Sequence, residues 1–450
     1  MEITEFQHEI FQQGKEIGFS EMEIYFSSSK AISISVHKHE IDEYTIVEQG
    51  GVSLRGLFNG QMGYAYAEKV DLDSISLLLE EAMSNARVIE VEDSEDLFEG
   101  SDEYAAPRPF SESLAEIEAS QLIEAAFEME KTALELDDRI ENVNYCGVSK
   151  VVSESLIANT KGLLCQSKSS YVSAEIYLQA SEGTSMATGG KSDFTFVKFS
   201  DLNFKEIAKK GVEETVSKLH AESLETGDYP VILRYDTATD LLGSYLGLFS
   251  AESVQKGYSK FKGKLNEQVA GDNITLVDDP TMTGVVGYAS FDSEGYRTKR
   301  KEIIKNGQLL TFMHNRKTAK KDGIESTGNA VKGGYRGTLG VGPYNVYLDP
   351  GESSLNEMIE KMDKGIMLVE LQGMNAGING VAGDFSVAAI GFLIENGKIT
   401  RPVDQITVAG NFFDILHNIE EIGNDLDFRG SVTIPSLKIK QLSFSGNIQS

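Results

Sequence analysis

A zinc-dependent peptidase needs two histidines one helical turn apart, a glutamate beside them to activate water, and a third ligand. The six histidines of this chain are His8, His37, His39, His220, His314 and His417. His8-Glu9 and His39-Glu40 are the His-Glu pairs, and neither has a second histidine four or five residues later. His37 and His39 share one face of a strand but bring no third ligand with them. All six read as ordinary surface or strand residues. Cys146 and Cys165 form no CxxC pair and suggest neither zinc nor redox chemistry. A reducing cytoplasm accounts for two such thiols, with a disulfide between them the less favoured alternative.

Carboxylates are the second route to hydrolysis. Asp292, Glu294 and Asp384 could supply a general acid and a general base. Asp278 and Asp279 are adjacent, so on a strand they point to opposite faces and pair poorly. Asp292 and Glu294 share a face if their segment is extended. Turn capping is nonetheless the expected role of such acids in a chain this rich in them. Ser386 lies in a GDFS run with no histidine placed beside it, and there is no GxSxG, GxxxxGK[ST] or strand-bound GxGxxG motif. Residues 329–342 hold Lys332, Tyr335 and Arg336 among glycines and read as a mobile polar loop. A glycine-lined surface of that kind can hold an extended peptide against a strand edge. Its candidate lining is Asn329, Arg336, Gly373, Asn375, Gly383, Asp384 and Ser386.

The elements that must position these residues follow from apolar spacing. Thr4 to Gly18 reads as a helix with Phe6, Ile10 and Ile17 on one face. Short alternating runs at 23–27 and 32–36 read as strands. Val52 to Phe58, then Asn59-Gly60, then Gln61 to Ala67 is a hairpin with a type I′ turn. Residues 72–87 return to helix. Between Glu90 and Glu103 eight of fourteen residues are acidic, with Pro107 and Pro109 beyond, which reads as a solvated linker. A helix over 113–136, strands at 143–152, 155–158, 163–167 and 171–180, and a helix over 202–220 repeat the first order of elements. The remainder is strand-rich, with helices expected at 237–253 and 354–364. The sum is an α+β fold: two N-terminal α+β units with mixed sheets, residues 1–90 and 113–226, an acidic linker at 91–112, and a β-rich C-terminal domain at 227–450.

Bulk composition narrows the function classes. At 450 residues, 40% hydrophobic and 25% charged, the chain has the make-up of a soluble multi-domain protein. Its formal charge of −29 opposes binding to the phosphate backbone, so no nucleic-acid partner is expected. No apolar run is long enough for a membrane span, and the acidic, amphipathic start is no signal peptide.

The stretch from Gly373 to Gly430 is dense in glycine and asparagine around two apolar runs, 388–394 and 405–409. GDFS, the following apolar run, IENGKI, PV, AGN and IGNDL resemble the TldD/PmbA family on its PmbA (TldE) side. Upstream, Ser259 to Asp279 with DDP, FDSEG at 291–295, Asn306-Gly307, STGN at 326–329, and 345–351 fall in the family's order. The TldD branch of that family carries a His-Glu-x-x-x-His helix and a cysteine ligand near its C-terminus. An ungapped alignment on Ser259 puts the helix positions at Leu242, Gly243 and Gly247 and the cysteine near 429–431. None of these offers a zinc ligand. The resemblance therefore implies a cytoplasmic, non-catalytic subunit with zinc only in a TldD-type partner, acting with it on small or unfolded peptides. It also implies a homodimer when the chain is alone. The rivals are an independent carboxylate hydrolase and a regulatory binding protein of the DNA gyrase modulator type.

Overall fold

A computed structural model of the chain describes residues 1–88 and 96–447. The first helix, α1 (Ile3–Ile17), turns Phe6, Ile10 and Gly14 inward at four-residue intervals. It stops at Gly18, whose φ of 107° lets its N–H reach back to the carbonyls of Gly14 and Lys15. Three strands follow: β1 (Phe19–His37), β2 (Glu40–Phe58) and β3 (Gln61–Ala67). Asn59 and Gly60, with φ of 50° and 80°, make the expected tight turn between β2 and β3. The next helix, α2 (Leu72–Val88), lies close on β3. A Cβ on Gly63 would sit 1.8 Å from the carbonyl oxygen of Ala82.

The second unit has a short helix α3 (Glu112–Ala115), α4 (Ala119–Leu136), strands β4 (Ile140–Asn159), β5 (Leu164–Glu182) and β6 (Ser185–Thr195), then α5 (Phe204–Ser217). The two units are joined through β1 and β4 into one sheet, in the order β3-β2-β1-β4-β5-β6. Every ladder in it is antiparallel. Met22 and Ile24 of β1 pack under α1 and α2, while Ile34 and Val36 pack in the core of α4 and α5. These residues have the same parity, so both helix pairs cover the same face. Between them Phe26, Ser28 and Lys30 line an open cleft. That polar gap is why β1 reads in sequence as two short strands.

Of the acidic linker, residues 89–95 lie outside the described residues. From Asp96 onward the chain is largely exposed, as a solvated linker would be, and is also strapped to the C-terminal domain. Arg316 holds the Asp96 carboxylate at 3.1 Å, the Tyr104 hydroxyl donates to the Gly295 carbonyl, and Arg108 donates to the carbonyls of Val285 and Val286.

The C-terminal domain opens with β7 (Gly227–Leu233) and α6 (Tyr235–Gly243). The single helix expected over 237–253 is broken after Gly243, resuming as a 3-10 turn at Leu246–Phe249 and a short helix at Ala251–Gln255. Six strands form the main sheet, in the order Lys398–Asn411, Asp384–Glu395, Lys364–Gln372, β7, Leu437–Ser445, Ile419–Ile422. Lys398–Asn411 also pairs with Leu437–Ser445, so the sheet closes on itself. Parallel ladders occur here, between β7 and Lys364–Gln372 and between Val346–Leu348 and Val432–Thr433. One large core fills this domain, around Tyr245, Phe249, Phe385 and Phe412. Among the described residues no helix is long and apolar enough to cross a membrane.

Candidate functional site

Two places gather the residues that catalysis would call upon. The first is the corner where α6 meets the strand Val432–Thr433. A Cβ on Gly243 would touch the Val432 side chain at 3.5 Å. One on Gly247 would meet nothing within 4 Å. The fold thus brings Gly243 against Val432, almost 190 residues later, while Gly247 lies past the helix break in the 3-10 turn. Leu242 is buried in the core and glycine has no side-chain lone pair, so these positions do not fit zinc. Arg429 is paired with Asp427 and Asp193, which puts a cation where the cysteine ligand would be sought. Among the described residues no group of three or more His, Cys, Asp or Glu side chains is disposed to hold a metal. Cys146 and Cys165 are both free and buried.

The second place is the seam between the N-terminal sheet and the C-terminal domain. Odd-numbered residues of β1 and β2 (Glu23, Tyr25, Ser53 and Arg55) form its floor. Arg55 donates from Nε to the Glu23 carboxylate at 3.0 Å, has its Nη2 2.8 Å from the same carboxylate as an ion pair, and lies 3.9 Å from Glu294. Lys332 arrives from the glycine-rich loop, donates to the Ser53 hydroxyl at 2.7 Å, and stacks over the rings of Tyr25 and Tyr64. Burial, and then the neighbouring Arg55 charge, lowers the Lys332 amine to about 7. The loop expected to be mobile and polar is docked here. Tyr64 donates to the carbonyls of Tyr335 and Gly337, and Tyr335 donates its N–H to Ser27.

Asp292 and Glu294 do come together at this seam. Asp292 accepts backbone N–H groups from Glu294, Tyr296 and Ala330, at 2.9, 2.9 and 3.1 Å. Glu294 accepts the Arg316 N–H at 2.9 Å. Burial raises both carboxyls, and the Glu294 charge pushes Asp292 further the same way. Both are under 5% exposed. Their oxygens hold loops through these backbone N–H groups. Asp384 stands elsewhere, at the start of the strand Asp384–Glu395, where Asn411 donates to it at 2.8 Å. Asp278 is fully buried, taking the Lys301 amine and the Asn329 amide, while Asp279 caps Thr281.

The seven groove candidates are split into three groups. Gly373, Asn375, Gly383, Asp384 and Ser386 share one flank, where the helix Met374–Gly377 lies over the strand Asp384–Glu395. A Cβ on Gly377 would come within 2.4 Å of the Ser386 carbonyl oxygen. Asn329 is a correction: it is fully buried, donating to Asp278 and the Gly342 carbonyl, and lines no surface. Arg336 is a second one, lying against Glu68 beside the N-terminal sheet. Sequence reasoning missed the Ser53–Lys332 contact. Its only sequence signal was polar residues at alternate positions of strands that are otherwise apolar.

The molecule is thus a six-stranded sheet bearing two helix pairs, docked by a strap and a glycine-rich loop on a closed mixed sheet. Residues 22–86, 112–219 and 226–446 match the models for domain 1, the central domain and the C-terminal domain of PmbA/TldA metallopeptidases. The chain belongs to the PmbA/TldD family. It is 29% identical to the Metalloprotease PmbA of Escherichia coli O157:H7 over 435 residues, 93% of this chain and 91% of that one. A solved structure from Thermotoga maritima, a candidate modulator of a DNA gyrase, superposes with a TM-score of 0.91 at 31% identity, covering 99% of this chain and all of that one. The structure of TldE from Thermococcus kodakarensis shares the fold, with a TM-score of 0.88 at 24% identity over 98% of this chain and all of that one.

Proposed function

We propose that this chain is a PmbA/TldE-type, non-catalytic subunit of a metallopeptidase system, acting with a TldD-type homologue on small or unfolded peptides. One observation supports the reading: the positions aligned with the zinc helix, Leu242 and Gly243 on α6 and Gly247 in the turn beyond it, present no donor. In this reading the partner holds the zinc and activates water, and the present chain supplies interface and shape. A cytoplasmic location, and homodimers in the partner's absence, belong to the same proposal. The carboxylate-hydrolase rival loses support because Asp292 and Glu294 are enclosed and committed to backbone N–H groups. The test is peptide cleavage by the chain alone, by a TldD-type protein alone and by the mixture, with a chelator control. Cleavage is expected only where the TldD-type protein is present, and the chelator should abolish it.

A further inference from the structure

Between Glu40 and Gly51, β2 pairs with β1 on one side, because β3 begins its pairing at Val52. Its other side has no strand partner among the described residues. An unpaired edge presents backbone N–H and C=O groups to solvent, and natural sheets blunt such edges with lysine, proline or bulges, or by keeping them short. This edge is long: at about 3.4 Å per residue, twelve residues run for roughly 40 Å. Residues 40–49 read EIDEYTIVEQ, with no proline, lysine or arginine. Ile41, Tyr44, Ile46 and Val47 are each about half exposed, 46–53%. The ladder has one bulge, at Asp42, which pairs Ile41 with Val36, so Ile41, Tyr44 and Ile46 lie on one face of the strand and Val47 on the other, and neither face is a purely solvated one.

At its Gly50 end the edge runs into the cleft between the two helix pairs, about 520 Å³ in volume. Phe26, Val70 and Phe110 give that cleft apolar lining, and Glu48, Glu68 and Glu154 give it acidity. Its two lysines, Lys30 and Lys168, are already paired with Glu48 and Glu154.

We propose that the β2 edge from Glu40 to Gly51 is a docking strand for an extended, lysine- or arginine-bearing polypeptide segment, which adds to the sheet as a further strand. The open backbone demands an extended partner, since only a strand can match its donors and acceptors over that length. Alternating exposed apolar residues favour a partner with apolar side chains at alternate positions. Glu40, Asp42 and Glu43 select for positive charge, while Glu48 is already paired with Lys30. A second copy laid on the same edge would set this acidic segment against itself within a chain of charge −29. This goes beyond the subunit reading, because it assigns a binding surface to the chain alone. Its test contains neither metal nor peptidase partner, so the two readings fail separately.

The probe is a fluorescein-labelled decapeptide of alternating lysine and valine, with a glutamate-valine counterpart as control. Both are titrated with the full chain and followed by fluorescence anisotropy, and amide hydrogen exchange is read over residues 40–51. The lysine peptide should bind, the glutamate peptide should not, and binding should slow exchange within 40–51. The double variant Asp42→Lys/Glu43→Lys alters exposed side chains only. It should keep the wild-type unfolding midpoint and bind the lysine peptide about tenfold more weakly, the scale of a few exposed ion pairs removed together. Ile46→Lys should weaken it as well, through lost apolar contact. Equal binding of both peptides, binding without protection in 40–51, or unchanged affinity in the charge-reversed variant would overturn the proposal. Concentration-dependent protection of 40–51 in the chain alone would also overturn it, by showing that a second copy covers the edge.

Discussion

The seam and the α6 corner are opposites. The seam between the N-terminal sheet and the C-terminal domain holds acids, an arginine and a low-pKa lysine, but it is closed. The corner at Gly243 and Val432 has room beside Gly247, but Leu242, Gly243 and Gly247 carry no donors and the nearby carboxylates of Asp427 and Asp193 are paired with Arg429. Chemistry requires reactive groups and access together, and each place has one without the other. A buried cluster of shifted carboxyls is a common lead to an active site. Here the hydrogen bonds decide against it, because each carboxyl shifted by burial is already holding backbone.

The largest effect should come from the seam. Asp292→Ala leaves three buried N–H groups without their acceptor and should cost about 3 kcal/mol or more, read as a lower urea midpoint. If it left stability intact while abolishing an activity, the seam would be a site after all. Gly383→Val comes next. Gly383 has φ of +86°, and a Cβ there would lie 2.7 Å from the Phe413 ring. A loss of about 1–3 kcal/mol is expected, since a β-branched residue is strained at positive φ. That would mark Gly383 as a turn residue first and a groove residue second. A stable variant impaired only in peptide handling would reverse the order.

A pH profile tests the seam more finely. Lys332 is held at about 7 against an ordinary value of 10.5. Between those values the unfolded chain binds more protons than the folded one, so this residue makes stability rise with pH across that window. Lys332→Met lacks the contribution. The stability difference, wild type minus variant, should therefore grow in favour of wild type from pH 7 to 10, whatever its offset. A flat difference would mean the amine is not held low. The smallest effect belongs to the corner: Gly247→Ala has open space and should change stability by less than about 1 kcal/mol. A large loss there would mean the corner is packed against something that matters.

How much of this was legible in sequence depended on range. The hairpin at 52–67 was plain because Asn59-Gly60 specifies its turn locally. The capping role of Asp292 was legible for the same reason, since two of its three bonds go to residues two and four positions on. The continuity of β1 was not, because its middle crosses an open cleft where no packing enforces alternation. The docking of Lys332 was hidden further still. Its partners Ser53, Tyr25 and Tyr64 lie well over two hundred residues earlier, and a run of glycines carries no sign of what will cover it.

The central claim is that this chain has a metallopeptidase's frame without its metal corner. Elemental analysis of the purified chain, incubated with zinc and dialysed, tests it most directly. The account predicts no stoichiometric zinc on the chain alone and about one per partner once a TldD-type protein is mixed in. About one tightly held zinc per chain in the partner's absence would contradict it.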